Sequence, residues 1–204
     1  MELLVIRHGQ SEADLLGVHE GRADYPLTAL GERQAFKMAE YIYKHFPPDV
    51  ILTSPLIRAR RTAFILQDIV GCECVEEQDL MEYNNGILAG LKKDEALVKF
   101  PIPKGGRPAH IPIQDGESEL QFRYRAEAVF SKIVTEYSGL NRVAIVSHGG
   151  LISNFIKAFL KQPINSEFVF PTGDTGFHLL QIKDNSRVVR FMNRQEHLGE
   201  RDLG

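Results

Sequence analysis

The sequence predicts an α/β fold: a three-layer sandwich with a mostly parallel central sheet flanked by helices on both faces. Three observations carry that expectation. Short apolar, β-branched runs alternate along the chain with segments of helical periodicity. Strands joined through helices pair in parallel and are covered on both sides. The 204 residues, 43% hydrophobic and 25% charged, suffice for a buried core, so a single domain spanning residues 1–204 is expected.

The elements follow in order. Residues 1–6 form an apolar run that stops at Arg7, His8 and Gly9, which reads as a buried strand delivering a polar tip. Thr28 caps a helix in which Leu30, Ala35, Met38, Ala39, Ile42 and Phe46 recur at helical spacing, and Pro47 and Pro48 end it. Residues 50–53 repeat the strand pattern and 56–70 the helical one, with Gly71 placed for a left-handed C-terminal residue. With four prolines and three glycines, 101–116 predicts an irregular excursion, part of a cap or loop spanning about 83–116. A long helix over 118–137 is built on Leu120, Tyr124, Ala128, Phe130 and Val134. Residues 142–147 are again a strand, ending in His148, Gly149 and Gly150, and 151–160 again a helix. Two late strands, 177–182 and 188–192, complete the pattern.

Composition narrows the function. A formal net charge of -3 speaks against nucleic-acid binding, which needs a clustered excess of Lys and Arg. The first apolar stretch is too short for a signal peptide or a membrane span, so no membrane partner and a cytoplasmic location are expected. Cys72 and Cys74, with one residue between them, predict reduced thiols on one side of a short strand, not a disulfide or a metal site. No Gly-rich phosphate loop followed by Lys and Ser or Thr is present, which excludes that class of nucleotide binder.

Ligands of open α/β sheets bind beyond the carboxyl ends of the strands. Two strands reach that edge with a histidine followed by glycine, as Arg7-His8-Gly9 and Ser147-His148-Gly149. One such histidine reads as a packed residue; the pair points to a site. Arg7 sets a guanidinium fork, suited to phosphate oxygens, beside His8. Arg58 stands in the first turn of the second helix, where helix geometry also favours an anion. Arg60 and Arg61 read as a solvated face. His19, His45, His110, His178 and His197 read as structural or exposed, with His178 packed among apolar neighbours.

Residues 4–11, Leu-Val-Ile-Arg-His-Gly-Gln-Ser, resemble the signature of the histidine phosphatase superfamily, which includes cofactor-dependent phosphoglycerate mutases. So do Pro26-Leu27-Thr28-x-x-Gly31, Ser54-Pro55-Leu56-x-Arg58-Ala59-x-x-Thr62-Ala63, Glu82-x-x-x-Gly86-x-x-x-Gly90 and Val146-Ser147-His148-Gly149-Gly150, in the family's order over nearly the whole chain. The resemblance implies a phosphatase acting on a small phosphorylated metabolite, with no metal and no cofactor. His8 would attack phosphorus and become a phosphohistidine, while Arg7, Arg58 and His148 surround the equatorial oxygens. Glu82 would protonate the leaving oxygen and then deprotonate water, which requires a raised pKa. Ser11, Asp14, Glu20, Gly21 and Gly149 are implied as further phosphate- or substrate-contacting positions.

The chain departs from the family at Asp14 and Glu20, where many relatives carry Asn and a neutral residue. If both acids line the pocket they repel a second anionic group, favouring esters with a neutral, hydroxyl-rich or cationic leaving group; the equal alternative is that both carboxylates point to solvent. A phosphoglycerate mutase is the alternative, but Tyr83-Asn84-Asn85 stands where mutases carry an Arg-His-Tyr run. A noncatalytic phospholigand-binding module of the same fold is a third reading, disfavoured by the joint presence of His8 and Glu82. The sequence does not specify an oligomeric state.

Overall fold

The computed structural model describes residues 1–184, 186–199 and 202. Among them, six strands form one sheet in the order β3-β2-β4-β1-β5-β6, where β1 is Glu2–Arg7, β2 Val50–Thr53, β3 Glu73–Glu76, β4 Arg142–Ser147, β5 Phe177–Lys183 and β6 Ser186–Arg194. The four strands β3, β2, β4 and β1 run parallel, whereas β5 lies antiparallel to β1 and β6 antiparallel to β5. This is the mostly parallel sheet expected, with an antiparallel hairpin added at one edge.

Helices α1 (Glu12–Leu16), α2 (Ala29–His45), α3 (Ile57–Val70), α4 (Lys93–Lys99), α5 (Glu119–Glu136) and α6 (Gly149–Phe159) surround the sheet. Alternation along the strands assigns the layers. Leu3, Val5, Val50, Leu52, Val143 and Ile145 face α5 and α6 on one side. Leu4, Ile6, Ile51, Ala144 and Val146 face α2 and α3 on the other. Because both faces are covered, the middles of the central strands are continuous apolar runs, and each Val, Leu or Ile there contributes about 1.5–3 kcal/mol by leaving water. Cys72 and Cys74 are unpaired and pack against the second of these clusters.

The expected punctuation is present. The Thr28 side chain accepts from the Gly31 N–H at the start of α2. Gly71 ends α3 at φ 80°, its N–H donating to the Gln67 carbonyl.

One expectation is corrected. Helix α5 buries Phe122, Arg123, Ala126, Val129, Phe130 and Ile133. Of the face expected from sequence, only Phe130 is fully buried and Val134 partly so; Leu120 and Ala128 are exposed, and Tyr124 is 73% exposed. The physical cause is Arg123. Its guanidinium is buried because it donates to the Asn154 and Gln162 carbonyls and to Glu127, so a cation sits in the inward stripe and shifts the apparent apolar phase.

The segment around 83–116 contains one 3-10 turn at Gly86–Leu88 and the short helix α4. It is tied back to the N-terminal region by reciprocal backbone bonds between His19 and the strip at Gly90 and Leu91, 2.8 Å each, and by an isolated bridge between Val18 and Lys92. Gly86 adopts φ +49°, and an added Cβ there would stand 1.9 Å from the Gln114 carbonyl oxygen. Among the described residues no helix is long and apolar enough to cross a membrane.

Candidate active site

Strand register creates the site. β1 and β4 are adjacent and parallel, with Arg7 opposite Ser147, so the next residue of each strand, His8 and His148, emerges side by side at the carboxyl edge. Their ring centroids lie 5.0 Å apart. Both are buried, His8 at 1% exposure and His148 at 0%.

The tautomer of His8 follows from its partners. Nδ1 lies 2.7 Å from the Gly9 carbonyl oxygen, which can only accept, so Nδ1 carries the hydrogen. The lone pair is therefore on Nε2, which accepts from Arg58 Nε at 3.3 Å. Burial, then the cations Arg58 and Arg7, push the imidazole well below its ordinary pKa, while the Gly9 contact pulls weakly the other way. His8 is thus a neutral imidazole presenting an unprotonated Nε2.

Close backbone packing fixes the turn that carries it. An added Cβ at Gly9 would meet the Gly31 carbonyl oxygen at 2.5 Å, and one at Gly31 would meet that of Gln10 at 2.1 Å. The two glycines of separate sequence blocks are one contact. Thr62 Oγ1 accepts from the Gly9 N–H at 3.2 Å and donates to the Arg58 carbonyl at 2.8 Å, locking the turn to α3.

Arg58 is fully buried and its fork is occupied by backbone: Nη1 donates to the Ala23 carbonyl and Nη2 to that of Gly21, leaving Nε toward His8. The expected anion-binding role of the α3 N-terminus is filled internally, since the Ile57 N–H donates to Asp24 Oδ1 at 2.7 Å. Arg7 donates from Nη1 to the Thr172 carbonyl and pairs with Asp174 at 3.3 Å and Asp14 at 3.9 Å. Its Nε is buried without a hydrogen-bond partner among the described residues.

His148 is oriented by Ser54. The Leu56 N–H donates to Ser54 Oγ at 3.3 Å, and we assign the hydroxyl hydrogen to the 2.8 Å contact with His148 Nε2. That assignment leaves the ring hydrogen on Nδ1, a second buried atom without a partner among the described residues. Burial, then Arg58 and His8, hold this imidazole neutral too. On this assignment Arg7 Nε and His148 Nδ1 are both N–H donors without a partner among the described residues.

Glu82 is docked on the first turn of α6. Its carboxylate accepts from the Gly150, Leu151 and Tyr83 N–H groups at 2.9, 3.2 and 2.8 Å. Gly150 permits this approach, because a Cβ there would meet Glu82 Oε1 at 2.5 Å. Arg125 fixes the loop, donating to the Asp79, Met81 and Glu82 carbonyls and to Glu117.

The remaining sequence-predicted positions divide. Ser11 and Asp14 form a reciprocal cap on α1, and Asp14 lies 3.9 Å from Arg7. Glu20 comes closer: its Oε1 lies 3.1 Å from Arg58 Nε and its Oε2 3.9 Å from His8 Nε2. Gly21, at φ +49°, supplies the carbonyl held by Arg58 and leaves room for the Asn85 side chain. Gly149 opens α6 and, with Arg7, Gly150, Asn154, Phe170 and Thr172, lines a cleft of about 400 Å³. A larger open groove of about 810 Å³ over α2, lined in part by Tyr41 and His45, contains none of these residues. Ser54, Thr62, Thr172 and Asp174 had no sequence-assigned role. The first two stand inside a quoted block, so the block itself carried their signal.

The other histidines serve packing or lie at the surface. His178 is buried between Thr172 Oγ1 and the Asn193 N–H, His197 contacts Thr175 Oγ1, and His110 is exposed. Arg61 forms a two-pronged ion pair with Glu32, and Arg60 lies 3.6 Å from Glu76.

Comparison with known proteins identifies the family and the fold. A family model described as the histidine phosphatase superfamily (branch 1) matches residues 3–195. The chain is 39% identical over 148 residues to an uncharacterized phosphatase, PhoE, of Bacillus subtilis (strain 168), covering 72% of each protein. It is 32% identical over 172 residues to a probable phosphoglycerate mutase, GpmB, of Serratia proteamaculans (strain 568), covering 82% of this chain and 78% of that one. Among solved structures, the alpha-ribazole phosphatase of Shigella flexneri superposes with a TM-score of 0.85 at 25% identity, covering 96% of this chain and 97% of the other.

Proposed function

The chain belongs to the histidine phosphatase superfamily, and on that footing we propose that it hydrolyses small phosphomonoesters, without a metal ion, through a phosphohistidine on His8. The observation that carries the proposal is the His8 ring: neutral, with its hydrogen held on Nδ1 and its Nε2 lone pair beside Arg58. That is the state a nitrogen nucleophile needs.

In the first step Nε2 forms a bond to phosphorus while the ester P–O bond breaks, and Glu82 gives a proton to the departing oxygen. In the second, Glu82 takes a proton from water, the resulting oxygen attacks phosphorus, and the N–P bond breaks to release phosphate. The Nε of Arg7, the Nε of Arg58 and the Nδ1 of His148 supply donors to the equatorial oxygens. Fixed cations thereby meet the charge of the transition state, the task a metal ion performs elsewhere.

The leaving group is a neutral one on this reading. Arg7, among the described residues the one charged side chain lining the adjacent cleft, is already opposed by Asp174 and Asp14, and the rest of the described lining is hydroxyl, amide or apolar. We place residues 1–204 in one domain, with 83–116 capping the site and Glu82 at its base. A cytosolic setting belongs to the same proposal and agrees with the two unpaired thiols.

The mutase reading is favoured by the likeness to GpmB. The run Tyr83-Asn84-Asn85 disfavours it, because Tyr83 and Asn84 bond Glu117 and Asn85 packs at Gly21. The test is turnover of p-nitrophenyl phosphate with a chelator present, together with a panel of metabolite esters. Phosphate release that vanishes in His8→Ala supports the proposal. Isomerisation without release favours the mutase, and ligand binding without turnover favours a noncatalytic module.

A further inference from the structure

Glu20 places a carboxylate where the reaction needs a phosphate. For in-line attack, phosphorus must come to about 3–3.5 Å from the nucleophilic nitrogen, with its oxygens turned toward the surrounding donors. Glu20 Oε2 stands 3.9 Å from His8 Nε2 and Oε1 stands 3.1 Å from Arg58 Nε, so the carboxylate and an incoming phosphoryl group claim the same space. The contact with Arg58 is one of charge, not a formed hydrogen bond: Oε1 is buried and has no hydrogen-bond partner among the described residues. Both Nη atoms of Arg58 already donate to backbone carbonyls, and Nε is the guanidinium atom nearest both His8 and Glu20.

We infer that Glu20 is a built-in competitor for the phosphate: its carboxylate occupies the oxyanion position between Arg58 and His8 and has to swing away or be neutralised before a phosphoryl group enters. The inference rests on the phosphatase reading and deepens it. A dianion meets both a displaced carboxylate and an occupied cation, so free phosphate is held weakly and leaves readily after turnover. A substrate offsets that cost through contacts of its leaving group in the cleft beside Arg7, which free phosphate lacks. Glu20 then acts as a specificity-determining residue that separates ester from product.

The groups facing Glu20 are Arg58 on α3, His8 and Arg7 at the end of β1, and Ser11 and Asp14 at the start of α1. Burial raises the carboxyl above its ordinary pKa, and Arg58, Ser11 and Arg7 pull against it while Asp14 adds to it. Acidification therefore neutralises the competitor, and anion affinity of the native protein should rise as pH falls.

Sulfate is the probe, because its charge does not change over the range used. Calorimetric titration of sulfate into the native protein, Glu20→Gln and Glu20→Ala from about pH 8 to about pH 5 reads the effect. At the alkaline end both variants should bind about tenfold to a hundredfold more tightly than the native protein, as expected when a like charge a few ångströms from the ligand is removed. Toward the acid end the gap between the native protein and the variants should narrow. The alanine variant reads the same quantity should the glutamine variant fold poorly. Equal or weaker sulfate binding in the variants at the alkaline end, or a native pH dependence no steeper than theirs, overturns the inference. The titration needs no turnover, so the two readings fail separately. Activity that depends on His8 with unchanged sulfate affinity sinks the competitor alone, whereas tighter sulfate binding in a protein that hydrolyses nothing sinks the phosphatase reading alone.

Discussion

Ser54→Ala tests how the second histidine is held. Ser54 Oγ is buried, accepts from the Leu56 N–H at 3.3 Å and serves His148 Nε2 at 2.8 Å. A hydrogen bond of this kind contributes about 1–1.5 kcal/mol net, which is about a tenfold bias toward the tautomer with its hydrogen on Nδ1. Without the hydroxyl that bias is lost, and the fraction of molecules presenting an Nδ1 donor beside His8 falls accordingly. The kcat for p-nitrophenyl phosphate should drop about tenfold to a hundredfold, the upper end approaching the loss of a whole oxyanion donor. The unpaired Leu56 N–H and His148 Nε2 should also cost about 1–3 kcal/mol of stability. Nitrogen-15 spectra of the histidines report the tautomer directly, and urea unfolding reports the stability. A variant with native kcat, or one with low kcat but His148 still protonated on Nδ1, would refute the reasoning.

Three further outcomes are expected. Phe122→Ala should lose about 3–5 kcal/mol in urea unfolding because the ring is buried against the α5–α6 core, whereas Tyr124→Ser should stay within about 0.5 kcal/mol because that side chain faces solvent; equal effects would contradict the observed phase of α5. Gly31→Ala forces a Cβ to 2.1 Å from the Gln10 carbonyl oxygen and should both destabilise by about 1–3 kcal/mol and lower kcat by displacing the His8 turn; unimpaired stability and activity would show that contact to be dispensable. Finally, burial lowers His178 from 6.5 to about 4. Between those values the unfolded chain binds the proton and the folded one does not, so stability rises with pH: this contribution is complete above about pH 6.5 and is lost toward about pH 4. The urea midpoint should fall on acidification through this window, and His178→Asn should show a shallower fall; an unchanged slope would contradict the assignment.

How much of this was legible in the sequence depends on the range of the interaction concerned. The strands carrying His8 and His148 were readable because four to six apolar residues ending in His-Gly form a local pattern. That the two strands are neighbours is a property of the sheet order, which no local window contains. Thr28 and Gly71 announced their helix ends because capping involves residues three or four apart. Helices α1 and α4 are only five and seven residues long, too short to display a period. The face of α5 misled because Arg123 is buried by partners 31 and 39 residues away. At the site, the residue types were visible but their partners were not. Arg58 stood out as a cation, yet nothing nearby foretold that Asp24 would take the adjacent helix end. Glu20 was conspicuous only as an acid in an unusual position; its approach to His8 emerged from folding.

The central claim is that a phosphoryl group passes through one ring nitrogen. Rapid alkaline quenching during turnover of a phosphorus-32-labelled ester, followed by peptide mapping, measures this directly. The account predicts an acid-labile, alkali-stable label on His8, attached at Nε2 and absent from His8→Ala. Turnover with no trapped label, or with the label on another residue, would contradict it.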